Sequence, residues 1–252
     1  MKVIFLGVGE AFDENLPNNS HLVTNDTVNI LLDCGYSVPP QLWKFNNDQS
    51  FLDAIYISHM HADHYFGIPP LLVRMYEEER KKDLVIICQE SAKELINQYF
   101  DYGYKGFRTK FKFKINFIEV DPEKIIDFKG FKLSFAPTKH SSSNLAIKIT
   151  DKNGKSVCYS GDGRANKKTE RLYKNSDLVI HESYLERNDF PGHGSIIDLI
   201  EIVKRNNIKC LALTHIQRDF RKKNLKRIKQ LISKENVNII IPEPLDEYKL
   251  ES

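Results

Sequence analysis

The sequence of 252 residues has few of the features that mark secreted or membrane-spanning proteins. It contains four cysteines and no Cys-x-x-C pair: Cys34, Cys88, Cys158 and Cys210. Each stands inside or at the end of an apolar run, which indicates buried free thiols and a reducing compartment rather than a disulfide framework. The apolar start at residues 3–6 is interrupted by Gly7, so it is too short for a signal peptide. No apolar run approaches the length of about 20 residues that a membrane span needs. We therefore expect a cytoplasmic protein with no membrane partner.

The chain also lacks internal repeats, low-complexity tracts and linkers rich in proline or glycine. We therefore expect one domain over residues 1–252. Apolar residues make up 41% of the sequence, which is ordinary for a globular protein with a sizeable core. The net charge of +3 is only mildly basic, so it neither requires nor excludes a nucleic-acid partner.

The most informative stretch is Ser-His-Met-His-Ala-Asp-His at residues 58–64, which holds three of the eight histidines. It follows a predicted strand at residues 54–57 and precedes Gly-Ile-Pro-Pro, which is typical of a helix start. Neutral imidazole and carboxylate are the ligands that zinc and similar cations prefer. His59 and His61 face the same way in an extended loop, whereas Asp63 and His64 turn towards a neighbouring point. One segment can therefore supply ligands to two adjacent cations.

The rest of the chain predicts a mixed sheet followed by helices packed on strands. A capping box at Ser91-x-x-Glu94 predicts the start of one helix. Ser195 is the predicted N-cap of another helix, and residues 238–241 are predicted to form a closing strand. The alternation at residues 111–115 predicts a strand with one apolar and one charged face. That segment could instead be a rim of aromatic and basic side chains for a nucleotide, or a dimer contact.

Polar residues recur at, or shortly after, the C-terminal ends of apolar strands: His140, Asp162, Glu182, His193 and His215. If these strands lie side by side, their ends form one rim where the side chains can meet. Two cations need roughly six to eight ligands, and an aspartate can bridge them. Seven candidates fit this number: His59, His61, Asp63, His64, His140, Asp162 and His215. The pattern predicts a site with two cations roughly 3.5–4 Å apart.

These motifs resemble those of the metallo-β-lactamase superfamily over nearly the whole chain: His-x-His-x-Asp-His, the isolated His140, Ser-Gly-Asp162 and Thr-His215. His181-Glu182-Ser183-Tyr184 followed by Gly192-His193-Gly194-Ser195 is similar to motifs of the ribonuclease Z branch. The resemblance implies an α/β fold, a four-layer αββα sandwich of two mixed sheets, with a two-zinc phosphodiesterase site. It places His59, His61 and His140 on one cation, Asp63, His64 and His215 on the other, and Asp162 between them. The residues do not distinguish Zn²⁺ from Mn²⁺ or Fe²⁺, and family members are commonly homodimers.

Two departures from ribonuclease Z bear on the substrate. The basic Pro-x-Lys-x-Arg-Asn loop is replaced by residues 15–20, Asn-Leu-Pro-Asn-Asn-Ser, which carry no cation. No arm for transfer RNA is inserted between Cys88 and His140. Compact relatives without the arm include cyclic nucleotide phosphodiesterases, among them the anti-Pycsar proteins. We therefore expect a nucleotide or RNA substrate, and favour small or cyclic nucleotides. The alternatives are a transfer-RNA 3′-processing endonuclease, a thioester or lactam hydrolase on the same fold, and a non-catalytic nucleotide-binding module.

The expected reaction is attack on phosphorus by a hydroxide that bridges the two cations. His193, held by Glu182, is the candidate acid for the leaving oxygen, and Asp63 completes the predicted catalytic set.

Several residues keep two interpretations. His21 could contact substrate or lie in the core, and His181 could be a ligand or a hydrogen-bonded core histidine. Asp33 could orient a histidine of the site, cap a turn or bind a cation. The basic residues in 218–229 could form a solvated helix face or reach a phosphate.

Overall fold

Strands and helices follow one another in two similar halves of the chain. The structure, a computed structural model, describes residues 1–25, 27–48, 50–187 and 189–250. The strands of the first half are β1 (Lys2–Gly7), β2 (Ser20–Thr24), β3 (Asn29–Leu32), β4 (Ala54–Tyr56), β5 (Leu84–Gln89) and β6 (Ile115–Val120). The helices of this half are α1 (Val38–Phe45), α2 (Ala62–Tyr65), α3 (Ile68–Glu77), α4 (Glu90–Gly103) and a 3₁₀ helix at Phe107–Lys110.

The second half repeats this arrangement. Its strands are β7 (Ile125–Phe128), β8 (Phe131–Pro137), β9 (Leu145–Thr150), β10 (Ser156–Tyr159), β11 (Leu178–Glu182), β12 (Leu211–Thr214), β13 (Ile239–Ile240) and β14 (Glu247–Lys249). Its helices are α5 (Lys167–Tyr173), α6 (Ile196–Asn206) and α7 (Arg218–Ile232).

The strands form two mixed sheets of seven strands each. One sheet has the order β14-β1-β2-β3-β4-β5-β6 and the other β13-β12-β11-β10-β9-β8-β7. In each sheet the strands pair antiparallel on one side and parallel on the other. The parallel strands are connected through helices, as parallel pairing requires.

Three apolar clusters make the layers of a sandwich. The inner faces of the two sheets pack on each other through residues such as Phe5, Leu32 and Ile147. The outer face of the first sheet is covered by α1, α3 and α4, and that of the second by α5, α6 and α7. The strands are therefore buried on both faces, which explains their nearly continuous apolar runs. The predicted four-layer αββα sandwich with two mixed sheets is confirmed.

Two predicted boundaries are confirmed, two are wrong and one is confirmed in part. The Gly-Ile-Pro-Pro segment opens α3, and Ser195 caps α6, its hydroxyl accepting a hydrogen bond from the N–H of Asp198 at 3.3 Å. Helix α4, however, starts at Glu90 with Gln89 as N-cap and no side-chain cap, so Ser91 and Glu94 form no capping box. Residues 111–114 form no strand, because Phe111 and Phe113 stack on each other at 4.9 Å and β6 begins at Ile115. The strand predicted at residues 238–241 is present as β13, which pairs with β12, but it is not the last strand, because the short β14 follows and pairs with β1.

The described part of the chain includes no helix that is both long enough and apolar enough to cross a lipid bilayer.

Candidate active site

The loop after β4 brings its histidines to the rim where the two sheets end. A short helix, α2, begins directly after His61 and places Asp63 and His64 in a helical turn. Sequence reasoning treated this stretch as loop and missed the helix. The chain therefore changes direction within the motif, because His61 lies in extended backbone whereas Asp63 and His64 lie on the helix.

The structure brings the seven predicted ligands together in two groups that share one residue. Potential ligand atoms lie within 4.8 Å of one another in the group His59, His61, His140 and Asp162. The same holds for the group Asp63, His64, Asp162 and His215. Asp162 belongs to both groups, so its two carboxylate oxygens can face two adjacent cations.

Distances within the groups match those expected around a cation. His140 Nε2 lies 3.1 Å from His61 Nδ1, close to the ~3.3 Å between ligands of a tetrahedral site with Zn–N bonds of about 2.0–2.1 Å. In the second group, His64 Nε2 lies 3.1 Å from Asp63 Oδ2 and 3.4 Å from Asp162 Oδ1. His215 Nε2 lies 3.4 Å from Asp162 Oδ2.

Buried atoms without a hydrogen-bond partner show that these residues fit a bound metal. Among the described residues, such atoms include Nε2 of His59, His64 and His215 and Oδ1 of Asp162. Each unsatisfied buried polar atom costs roughly 1–3 kcal/mol, so several at one point need an explanation. Cations bound by the two groups would satisfy all four atoms at once.

Hydrogen bonds on the far side of three rings orient those rings. His64 Nδ1 lies 2.7 Å from Asp33 Oδ2, and a carboxylate oxygen accepts, so Nδ1 carries the proton. Ser58 Oγ also donates to Asp33, which leaves this hydroxyl oxygen to accept from His59 Nδ1 at 3.1 Å. His140 Nδ1 donates to the carbonyl of Gly192 at 3.0 Å. In all three rings the hydrogen bond occupies Nδ1 and leaves Nε2 as the nitrogen available to a cation.

Charges inside the site keep both aspartates ionised. Burial would raise the pKa of Asp63, but His64 and His215 outweigh it and hold that pKa below its usual range. The pKa of Asp162 is likewise held well below its usual range, because His215 and His64 outweigh burial. The buried rings of His59 and His61 have lowered pKa values, chiefly through burial. Burial would lower the pKa of His64 and His215, but the neighbouring aspartates outweigh it and raise the pKa of His64 well above its usual value and that of His215 to about 9. A cation bound at these two rings would therefore displace a proton, because metal binds neutral imidazole.

The Asp162 loop depends on tight turns. Gly161 and Gly163 have φ values of +59° and +103°, a region that favours glycine. A Cβ on Gly163 would lie 2.8 Å from Cβ of His140. The N–H of Asp162 donates to Asn144 Oδ1 at 3.1 Å. His215 itself has a φ of +52°, an uncommon conformation for a non-glycine residue and one found often at functional sites.

His193 and Glu182 lie next to these groups. His193 Nδ1 is 3.4 Å from Glu182 Oε1, an ion-pair contact that is long for a hydrogen bond. The same oxygen accepts from the N–H groups of Gly163 at 2.9 Å and Gly194 at 2.6 Å, so the carboxylate is firmly fixed. Glu182, His193 and His215 also offer atoms within 4.8 Å of one another, so this trio has the spacing of a third donor group.

A cavity of about 410 Å³ opens over the site and is lined by ligand candidates, His193 and aromatic side chains. The aromatic members are Phe12, Tyr36, Tyr184 and Phe190. Tyr184 stacks on His193 with ring centroids 4.6 Å apart. Sequence reasoning assigned no role to these four residues, although Tyr184 stands in the His-Glu-Ser-Tyr motif, and for the other three only their position in loops after strands could have indicated one.

His21 and His181, for which the sequence left two interpretations open, lie outside the cavity. His21 is buried between Phe5 and Tyr159, and burial together with His64 lowers its pKa to about 3. His181 is buried, and its Nδ1 hydrogen-bonds the carbonyl of Glu182 at 2.7 Å. Neither lines the cavity.

Three arginines in the basic stretch 218–229 form ion pairs. Arg218 pairs with Glu10, Arg221 with Glu243 and Arg227 with Glu186.

Comparison with solved structures shows the fold. The fold superposes on the metallo-β-lactamase fold protein YhfI from Bacillus subtilis with a TM-score of 0.81, at 22% identity and 98% coverage of both chains. It superposes equally well on the short form of human tRNase Z, with a TM-score of 0.81, 20% identity and complete coverage of both chains. The chain is a metal-dependent hydrolase with the metallo-β-lactamase fold, in the branch similar to ribonuclease Z.

The sequence itself specifies the family. Residues 1–237 match the family described as "Anti-Pycsar protein Apyc1", and the chain belongs to this family. It is also similar to ribonuclease Z of Saccharolobus solfataricus, with 28% identity over 262 residues that cover 86% of this chain and 88% of the relative.

Proposed function

We propose that the protein is a two-cation phosphodiesterase that hydrolyses small nucleotides, with cyclic nucleotides as the favoured substrates. The observation that carries the proposal is Asp162, whose two carboxylate oxygens each lie 3.4 Å from a ligand candidate while the residue belongs to both donor groups. A pair of cations sharing one carboxylate suits displacement at phosphorus, because it stabilises both the entering and the leaving oxygen. The Apyc1 family and the ribonuclease Z relatives support the same chemistry.

The donor set of imidazoles and carboxylates favours zinc, with manganese or iron as alternatives. His59, His61 and His140 would hold one cation, Asp63, His64 and His215 the other, and Asp162 both. When bound, the cations supply Lewis-acid stabilisation of the developing charge and activate a water nucleophile.

The remaining chemistry is assigned to His193 and Glu182. Nδ1 of His193 faces the Glu182 carboxylate, which leaves Nε2 to give a proton to the leaving oxygen. The carboxylate orients the imidazole towards the cavity. We infer that His193 is the general acid, Glu182 its positioning partner, and Asp63 a ligand that fixes the second cation.

The role of His193 has a direct test. His193→Ala is expected to keep both cations and to slow turnover by roughly 10²–10⁴-fold, since only proton transfer is lost. Metal content and hydrolysis of a cyclic nucleotide are measured on the same preparation, with His215→Ala as the control that loses a cation. If His193→Ala loses a cation as well, His193 acts as a ligand in the trio with Glu182 and His215.

The size of the cavity favours a small substrate. About 410 Å³ lies within the ~300–1,000 Å³ of small-molecule sites. The segment between β5 and β8 consists of α4, the 3₁₀ helix, β6 and β7, with no additional arm in this described part.

Processing of transfer-RNA 3′ ends is the second candidate, because the ribonuclease Z relatives align over most of the chain. A panel of cyclic nucleotides beside a 3′-extended transfer RNA distinguishes the two. The small-nucleotide proposal would be contradicted if the protein cleaved the RNA and none of the cyclic nucleotides, and if its affinity for the RNA fell steeply with salt concentration.

Homodimer formation and a cytoplasmic location, both predicted from the sequence, remain proposals. Size-exclusion chromatography with light scattering tests the first, and cell fractionation the second.

A further inference from the structure

Exposed aromatic side chains are concentrated at the mouth of the cavity. Seven large apolar side chains of the described chain are exposed, and three of them line this one cavity. Phe12 is 74% exposed, and Tyr36 and Phe190 are each 48% exposed. Exposed aromatic rings at a cavity mouth indicate a binding surface. A ring that stays in water does not contribute the stabilisation that its burial in the fold would give, so its exposure needs another reason.

The loop that carries Phe12 is held firmly although the ring is exposed. The N–H of Phe12 donates to Glu10 Oε2 at 3.0 Å, and the hydroxyl of Tyr36 donates to the carbonyl of Ala11. Glu10 is 2% exposed, and its other carboxylate oxygen accepts from Arg218 at 2.6 Å. The backbone therefore presents the ring in a fixed place, so a ligand that stacks on it need not order the loop.

The remaining walls of the cavity restrict what can stack there. Among the described lining residues no lysine or arginine occurs. The polar end of a ligand is therefore bound by the donor groups and His193. The rest of the lining consists of the four aromatic side chains, small residues and Glu10, whose carboxylate is paired with Arg218, and this lining favours an uncharged, planar group. In a nucleotide that group is the base.

We propose that Phe12 is a binding residue for the nucleobase of the substrate, and that Phe190 extends the same stacking surface. This inference rests on the proposed phosphodiesterase function and adds the residue that recognises the base. The Phe190 ring lies 5.5 Å from His193, so its replacement would also disturb the proposed acid. Among the described residues, no hydrogen bond or ring contact joins the Phe12 side chain to a ligand candidate or to His193, so its variants isolate base binding.

The experiment compares two substrates and two variants of the metal-loaded protein. The substrates are adenosine 3′,5′-cyclic phosphate and ribose 3′,5′-cyclic phosphate, which lacks the base. The variants are Phe12→Leu, which keeps an apolar side chain without a ring, and Tyr102→Leu as the control. Tyr102 is 88% exposed on α4 and does not line the cavity. KM and kcat are measured for each pair.

Base stacking on an aromatic side chain is worth about 1–3 kcal/mol, which corresponds to roughly 5–150-fold in affinity. Phe12→Leu is expected to raise KM for the base-bearing substrate by a factor in this range and to leave its kcat nearly unchanged. KM for the substrate without a base should not change, and Tyr102→Leu should match the wild type on both.

The outcomes distinguish the base-stacking role of Phe12 from the proposed phosphodiesterase function. If Phe12→Leu raises KM equally for both substrates, or for neither, the base-stacking role is refuted while the phosphodiesterase function stands. If the wild type hydrolyses neither substrate, the proposed function is refuted and the inference with it.

Discussion

Replacing Asp33 tests whether one buried carboxylate organises the metal site. Asp33 is fully buried at the end of β3 and has a φ of +58°. Its Oδ2 accepts from His64 Nδ1, Ser58 Oγ and the Tyr159 hydroxyl, each at 2.7 Å. Its Oδ1 accepts from the N–H of Ser58 at 2.7 Å. Because Tyr159 belongs to β10, this carboxylate connects the two sheets directly beneath the donor groups.

Asp33→Asn replaces one acceptor oxygen by an NH₂ group, which repels the protonated Nδ1 of His64. Replacing an outer partner of a ligand histidine typically lowers metal affinity 10–100-fold. We expect a loss of this size for the cation of Asp63, His64 and His215. A smaller loss is expected for the cation of His59, His61 and His140, because only His59 is linked to Asp33, and only indirectly, through the Ser58 hydroxyl. Tyr159→Phe is the matched control, because it removes one donor to Asp33 without touching His64.

The assay is competition between the protein and a chromophoric zinc chelator, which resolves the two binding steps. Tyr159→Phe should retain both affinities within a few fold and lose roughly 1–3 kcal/mol of unfolding free energy, the worth of one hydrogen bond. The reasoning is refuted if Asp33→Asn binds both cations as tightly as the wild type, or if it weakens both steps equally.

The other predictions concern packing and charge in the scaffold. Gly35→Ala should destabilise the fold by roughly 1–3 kcal/mol and weaken cation binding, because a Cβ there would lie 1.9 Å from the carbonyl oxygen of Asp63. Gly103→Ala, which meets nothing within 4 Å, is the control, and equal unfolding midpoints for the two variants would contradict this account. Burial would raise the pKa of Asp53, but its hydrogen bonds with Lys129 and the Asn29 N–H and its ion pair with Lys82 lower that pKa. The ionised carboxylate therefore stabilises the fold above its unfolded pKa of about 3.9, and this contribution is lost as pH falls through the lower folded value. Urea unfolding of the metal-free protein should show a deficit for Lys129→Met at pH 6 that shrinks below about pH 4, and a deficit independent of pH would exclude this origin.

The sequence allowed the fold and the donor groups to be predicted because both follow from local rules. Residues 58–64 concentrate their ligands in one segment, and His140, Asp162 and His215 each follow an apolar strand. Parallel pairing aligns the C-terminal ends of β10, β11 and β12, and β8 runs in the same direction because two antiparallel pairings separate it from β10. The meeting of these distant side chains could therefore be anticipated. The αββα layers follow from apolar strands alternating with amphipathic helices.

What the sequence did not indicate depends on contacts between distant segments. The pairing of β14 with β1 uses backbone hydrogen bonds, so the polar sequence Glu-Tyr-Lys carries no signal for it. Phe111 and Phe113 have the spacing of a strand, but they pack on each other and on Phe100 of α4 instead of joining the sheet. The contact of Tyr159 with Asp33 joins residues 126 positions apart, and no local pattern marks it.

The central claim is that two donor groups sharing Asp162 hold two cations that together carry out hydrolysis. The most direct test is to titrate metal-free protein with Zn²⁺ while measuring both bound metal and hydrolysis of a cyclic nucleotide. The account predicts two cations per wild-type chain, activity that rises with the second cation, and a loss of both features in Asp162→Ala. Full activity with one cation per chain, or an Asp162→Ala variant that still binds two cations and turns over normally, would contradict it.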